Sequence, residues 1–447
     1  MKKDISLSFF CITCLAIIFF GMFSVFSRAF TKIILIKKNL CPPLLSKIIF
    51  FDREDFRSSA TAKKQSENSS EPIIVDWKEL YPFENERNEK VDLQTLQIKL
   101  SFKFAEKVKD KINSWFEEKF ILRNFWITFS KEILYSFIGI HHTGVISLGN
   151  DGQFSYFTGK IDVSKQANAV IALNKFLKQK SIPFLYVQAP YKMSLLDSLR
   201  IGDFSNQIAD EFLQILKDND IDFIDMREEI LKSGKDFYSF FYKTDHHWKA
   251  EAGLFACPII AEKINEIAST KIDTDFFDTV NFNFEIFKDS FLGSWGRRLT
   301  LVGAKMEDIT LITPKKKFEL QTEIYGANML LRKARGGFET FIFKERLQTK
   351  ESALSEDAYM MYMQTVTNGF IKNYSVQNEY KILFVGDSFK SVVVPFLALS
   401  VKESDSLELR GFDGSFKTFV EKNAPYNACV LLCNPSGFFD SKLWDFE

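Results

Sequence analysis

The chain holds four histidines in two adjacent pairs, and one pair stands directly behind a carboxylate in Thr244-Asp245-His246-His247-Trp248. Asp245 and His247 are two residues apart, a spacing that on an irregular turn lets the carboxylate hold the imidazole in one orientation. A serine hydroxyl needs such an imidazole, because it is a poor nucleophile until a neighbouring base takes its proton. The matching serine is Ser388 in Gly386-Asp387-Ser388, where the strand-like run YKILFV ends in a tight turn before a helical pattern. A serine on that kind of turn is exposed at a sheet edge, with its own N–H facing developing negative charge. The same residues allow other readings. Asp245, His246 and His247 offer metal ligands, although a site needs further ligands at plausible spacing. They also fit the solvated start of a helix capped by Thr244.

Elements that would position these groups can be read from hydrophobic spacing. Residues 163–180, 208–218, 249–267 and 415–422 have helical periodicity, and 389–400 (FKSVVVPFLALS) continues as a helix. IPFLYVQAP, IDFIDM, YKILFV, residues 406–409 and NACVLLCN read as short, mostly apolar strands. GVISLGNDGQFSYF alternates and turns at Asn150-Asp151-Gly152, a hairpin signature, and residues 108–135 carry an N-terminal helical pattern. Strands alternating with helices predict an α/β fold with a mostly parallel sheet covered on both faces. In open sheets of this kind ligands bind outside the carboxyl ends of the strands. Those ends carry Gln188, Tyr191 and Lys192, the Gly386-Asp387-Ser388 turn, and Asn434.

YKTDHHWKAEAG followed by ILFVGDSF resembles the DHHW family, which is similar to the alginate O-acetylation proteins of the SGNH-hydrolase-like class. VDWKELYPF (75–83), GVISLGNDG and FLGSWGRR (291–298) agree with it, so the resemblance spans roughly residues 73–447. It implies Ser388 as nucleophile, His247 as general base and Asp245 as its orienting acid, with His246 at a variable position. The serine follows the Asp/His segment, a circularly permuted order relative to ordinary SGNH esterases. Those esterases use Asp-x-x-His; the Asp-x-His here departs from them and matches the alginate-acetylation relatives.

The implied activity is acetyl transfer to a surface or secreted polysaccharide, or hydrolysis of its acetyl esters, with no cofactor. A multi-span membrane acyltransferase supplying acetyl groups is the implied partner. The Ser388 N–H is the first oxyanion donor by position. Asn434 would add its side-chain amide, unless it only forms the turn before Pro435. Gly293, beside Ser294, is a further donor or part of a Gly-rich turn. Tyr242 and Arg410 would contact an acetyl donor or glycan, against a structural role for each. Trp248 is expected to pack on the imidazole. A non-catalytic glycan-binding or scaffold component of an acetylation complex is the alternative.

Composition bounds these readings. The chain is 46% apolar and 26% charged, with 58 basic and 58 acidic residues, which excludes disorder and removes the electrostatic reason to expect nucleic-acid binding. Residues 5–27 are charge-free and almost wholly apolar, long enough to span a bilayer core and too long for a usual signal core. We read 1–27 as an uncleaved N-terminal signal anchor, with a cleaved signal as the alternative, Cys11 and Cys14 as membrane-buried, and 28–72 as a juxtamembrane segment and Ser-rich stalk. Residues 73–447 then form the SGNH-hydrolase-like domain. Charge counting leaves the orientation open, and the resemblance places that domain on the extracytoplasmic side of the cell membrane.

Overall fold

The computed structural model describes residues 142–143, 146–148, 153–156, 158–196, 203–326, 329–363 and 367–447. The expected anchor, the stalk, the helical pattern at 108–135 and the hairpin tip at Asn150-Asp151-Gly152 lie outside the described residues. Among the described residues no helix is long and apolar enough to cross a membrane.

A small antiparallel sheet comes first, formed by β1 (His142–Thr143), β2 (Ile146–Leu148) and β3 (Phe154–Tyr156), with Ile146 opposite Tyr156 as the hairpin pattern predicts. Helix α1 (Ser164–Gln179) leads to β4 (Phe184–Gln188), α2 (Ser205–Asp218) to β5 (Phe223–Asp225), and α3 (Met226–Lys232) follows. Beyond the Asp/His segment runs α4 (Ala250–Ala268). The stretch after it forms two antiparallel ribbons that hydrophobic spacing did not reveal. These are β6 (Phe282–Phe291) with β7 (Glu307–Pro314), flanking helix α5 (Ser294–Gly303), and β8 (Leu320–Gly326) with β9 (Met329–Gly336). β10 (Thr367–Asn373), β11 (Lys381–Gly386), α6 (Val394–Leu397), β12 (Glu403–Leu407), α7 (Phe416–Asn423) and β13 (Ala428–Cys433) complete the chain.

Eight strands join in the order β5-β4-β13-β11-β12-β10-β8-β9. The five from β5 to β12 are parallel, and β10, β8 and β9 extend the sheet antiparallel. The fold is thus α/β with a mostly parallel sheet flanked by helices. Alternate residues of the central strands feed two separate cores. Leu185, Val187, Phe384 and Leu432 face α4 and α6, whereas Phe184, Tyr186, Val385 and Leu431 face α1, α2 and α7. Burial on both faces explains why these strands read as unbroken apolar runs rather than as alternation.

Two expectations fail for local reasons. The run at 389–400 is not one helix: a 3₁₀ turn over Ser388–Val392 precedes the four-residue α6. Pro395 has no N–H and tolerates only the first turn of a helix, so a new helix must begin just before it. Thr244 is also not the cap of α4, which starts at Ala250 after Lys249.

The turn that carries Ser388 is fixed by backbone proximity. Gly386 has φ of +150°, and a Cβ there would stand 1.9 Å from the Leu432 carbonyl oxygen of β13. On the other side, a Cβ on Gly253 of α4 would stand 2.0 Å from the Val392 carbonyl oxygen. Gly386→Ala is therefore expected to lower unfolding free energy in urea by about 2–5 kcal/mol, combining overpacking with backbone strain. A loss under about 0.5 kcal/mol, the range of a surface change, would show that β11 and β13 separate freely.

Candidate active site

Asp245, His247 and Ser388 come together across 141 residues of sequence. His247 Nδ1 lies 2.6 Å from Asp245 Oδ1, and Nε2 lies 2.7 Å from Ser388 Oγ. An ionised carboxylate only accepts, so Nδ1 carries the proton and Nε2 is left as the acceptor of the Ser388 hydroxyl. That polarity is the one needed to draw a proton off Ser388. His247 is nearly buried and Asp245 is 1% exposed, so water competes little with either bond.

The carboxylate is held from every side. Its Oδ1 also accepts the His247 backbone N–H at 2.9 Å and lies 3.1 Å from His246 Nδ1, while Oδ2 accepts the Ser294 N–H at the start of α5. A helix N-terminus presents unpaired N–H groups and the positive end of the dipole to an anion. Burial alone would raise the Asp245 carboxyl, but the neighbouring His247 and His246 outweigh it and hold it well below the usual carboxylate range.

Three further groups suspend the loop that carries Asp245 and His247. The buried Lys192 ammonium donates to the carbonyls of Tyr242 and Lys243, each at 2.6 Å, and of Asp245 at 3.2 Å. Glu307, at the start of β7, accepts the backbone N–H groups of Lys243 (2.6 Å) and Thr244 (2.7 Å) and the Thr244 hydroxyl (2.6 Å). Thr244 Oγ1 in turn accepts the Gly293 N–H at 2.9 Å. Lys192 was legible only as a strand-end residue, and Glu307 gave no signal, because both act on backbone atoms.

The Ser388 turn has its own clasp. Asp387 accepts the Phe389 N–H at 2.9 Å, the Asn434 N–H at 2.8 Å and the Asn434 side-chain amide at 2.6 Å. Burial raises the Asp387 carboxyl, against the lowering effect of the backbone N–H groups of Asn434 and Phe389. Trp248 braces the same turn, donating from Nε1 to the Phe389 carbonyl at 3.0 Å.

Several expected roles are corrected by these contacts. Asn434 is not a free oxyanion donor: its amide is turned onto Asp387, and its own oxygen caps the Pro435–Phe439 turn through Ser436 N–H at 2.8 Å. Gly293 is not one either, since its N–H is spent on Thr244. Its part is steric, because a Cβ there would stand 2.4 Å from both Asp245 Cβ and the Thr244 carbonyl oxygen. Tyr242 does not face a substrate: its ring is 2% exposed and stacks on Phe291 with centroids 3.9 Å apart. Arg410 bonds to the buried Glu408 carboxylate through Nε and approaches Asp440 at 3.9 Å, a structural pairing. Trp248 does not pack on the imidazole; the ring stacked there is Tyr359, centroids 3.9 Å apart and planes 17° apart. Tyr359 sits in the run AYMMYM, which is indistinguishable from core sequence.

Among the described residues, Asp245, His246 and His247 form a group whose ligand atoms lie within 4.8 Å of one another. Those atoms are already committed: Asp245 to Ser294 and both imidazoles, and His247 Nε2 to Ser388. A cation would have to displace hydrogen bonds inside a buried pocket to bind there.

Asp245 is ionised in the native state below the pH at which an unfolded Asp takes up its proton. Its stabilisation is therefore full above about pH 4 and is lost as pH falls through the lower native value. The difference in urea stability between wild type and Asp245→Asn is expected to shrink steadily below about pH 4. A difference constant from pH 7 to pH 2 would contradict the depressed native value. Gly293→Ala is expected to cost about 1–3 kcal/mol in the same assay, because the added methyl displaces Asp245. A variant as stable as wild type would remove that steric role.

Residues 157–282 match the family model ALGX, the SGNH hydrolase-like domain of acetyltransferase AlgX; the match includes Asp245 and His247 and ends before Ser388. No curated protein sequence matches the chain. Among solved structures, Bacillus cereus PatB1 superposes with a TM-score of 0.52 at 20% identity, over 68% of this chain and 100% of PatB1. A DHHW family protein from Eubacterium siraeum does so with a TM-score of 0.53 at 15% identity, over 68% of this chain and 95% of that protein. These two likenesses concern the fold. The ALGX match makes residues 157–282 similar to the SGNH hydrolase-like domain of an acetyltransferase.

Proposed function

We propose that this protein transfers acetyl groups to a polysaccharide through an acetyl-Ser388 intermediate, with His247 as general base and Asp245 as its orienting acid. The observation that carries the reading is the unbroken path from Asp245 through His247 to the Ser388 hydroxyl, with bonds of 2.6 and 2.7 Å. In the first half-reaction the Ser388 proton passes to His247 Nε2 and Oγ attacks the acetyl carbonyl. The C–O or C–S bond to the donor then breaks, and the departing group takes the proton from His247. In the second half-reaction a sugar hydroxyl gives its proton to His247 and attacks the acetyl carbon. Ser388 leaves and recovers the proton. The Ser388 N–H is assigned to the oxyanion, since Asp387 takes the next two amides, Phe389 N–H on its side chain and Lys390 N–H on its carbonyl. Water in place of the sugar gives acetyl-ester hydrolysis by the same steps.

The resemblance to alginate-acetylation proteins supports a polysaccharide acceptor. The apolar residues 5–27 support a single-pass anchor, with the enzyme domain extracytoplasmic at the end of the 28–72 stalk. A multi-span membrane acyltransferase would then supply the acetyl group, since one helix has no means of carrying it across a bilayer.

Release of acetate from a chromogenic acetyl ester tests the chemistry. Ser388→Ala and His247→Ala are each expected to lower kcat by at least on the order of 10³-fold, with a chelator without effect. A structure of PatB1 carries a sulfonyl adduct. A sulfonyl fluoride is likewise expected to label this protein at Ser388, read by peptide mass, and to spare Ser388→Ala. Activity that survives both substitutions, or that only a chelator removes, would overturn the serine mechanism.

A further inference from the structure

The proton path uses one edge of the His247 ring and leaves its two faces to other groups. Tyr359 lies against one with centroids 3.9 Å apart and planes 17° apart, and His246 lies 3.8 Å away at 37°. Two rings with centroids under 4 Å from a third cannot share a face of it, so the imidazole is held between them. Phe389 stands at the rim, 5.4 Å away. Among the described residues, the groups facing His247 are therefore Asp245 and His246 from its own loop, Ser388 and Phe389 from the Ser388 turn, and Tyr359 from the segment before β10. Asp245 and His246 are the titratable groups among them, and Arg297 of α5, near Asp245, is paired with Asp357 at 2.8 Å.

Tyr359 is anchored independently of His247. Asp357 caps its 3₁₀ turn by accepting the Tyr359 N–H at 3.1 Å, and the same Asp357 binds Arg297. The Tyr359 hydroxyl donates to the Ser388 carbonyl over 3.5 Å, and the ring is 2% exposed. A buried aromatic face presents negative charge density to whatever lies over it, and so favours a cation there. His247 becomes that cation each time it holds the Ser388 proton.

We propose that Tyr359 is a positioning residue for the transfer reaction: its ring, opposite His246, fixes the imidazole plane and favours the imidazolium formed when Ser388 gives up its proton. This rests on the serine reading above. The proton leaves Ser388 Oγ, resides on Nε2 and departs with the leaving group, so the ring exchanges nothing and acts only through its face.

The test compares wild type, Tyr359→Phe and Tyr359→Leu in the full chain. Ester turnover is read alongside the pH titration of the His247 ring by NMR, assigned against His247→Gln; with four histidines in the chain the signals are few. Tyr359→Leu is expected to lower kcat on the order of ten-fold with little change in KM, and to move the His247 titration midpoint downward, because the imidazolium loses its aromatic partner. Tyr359→Phe keeps the face and is expected to hold kcat within about two-fold and the midpoint in place. If Tyr359→Leu unfolds, Tyr359→Met, of similar reach, takes its place. An unmoved midpoint in the aliphatic variant overturns the proposal, as does an equal loss of kcat in Tyr359→Phe, which would give the role to the hydroxyl. If wild type shows no Ser388-dependent turnover while the midpoint still follows the ring, the acetyl-transfer reading fails and the positioning of His247 stands.

Discussion

The Asp245 carboxylate, removed from water and surrounded by donors, is the constraint on which the rest of the site depends. A buried carboxylate without partners costs several kcal/mol or takes up a proton. Here the start of α5, two imidazoles and a backbone N–H receive it. Each donor belongs to a segment that must arrive in place: α5 through Gly293 and Ser294, and the imidazole through the turn that Trp248 closes. The absence of a side chain at Gly293 is part of the same requirement, since it lets the helix start approach the carboxylate closely.

Around this anion the protein is built in two halves that meet at His247. One half is the parallel sheet, whose β11 and β13 press together at Gly386 and present Ser388 at the carboxyl edge. The other is the loop from Phe241 to Trp248, which belongs to no sheet beyond the single bridge between those two residues. That loop hangs from Lys192 after β4 and from Glu307 at the head of β7. Both are charged groups that bond mainly to backbone atoms of the loop, with the Thr244 hydroxyl added on Glu307. A loop so tied can hold an unusual geometry without a regular ladder.

What was legible in the sequence follows from how each residue acts. Asp245, His247 and Ser388 stand in short contiguous motifs, and residue type plus spacing pointed to a set that the fold brings within hydrogen-bond distance. The central strands were legible because burial on both faces leaves them uniformly apolar. The contacts of Asn434 and Gly293 were not legible, because local sequence does not encode a partner 47 or 49 residues away, and residue type alone did not show that Tyr242 stacks on Phe291 or that Arg410 pairs with Glu408. Tyr359 and Glu307 escaped notice for the complementary reason: one is a core aromatic by type, and the other a surface acid at the end of a ribbon. The β6–β9 ribbons carry little apolar signal: β6 alternates at its start as FNFEI but is largely exposed, and β9 is exposed or half-buried throughout, so neither marks a continuous core face.

The contact between Gly386 and Leu432 has a consequence for the order in which the molecule matures. Asp245 and His247 are synthesised 141 or more residues ahead of Ser388, and β13, which seats the serine turn, is the last strand of the chain. During synthesis the N-terminal portion emerges first, and contacts of such long sequence separation close late. The emerging polypeptide therefore carries Asp245 and His247 before Ser388, and then a Ser388 turn that has no β13 to rest on. The contact between His247 and Ser388 forms only when the sheet is complete.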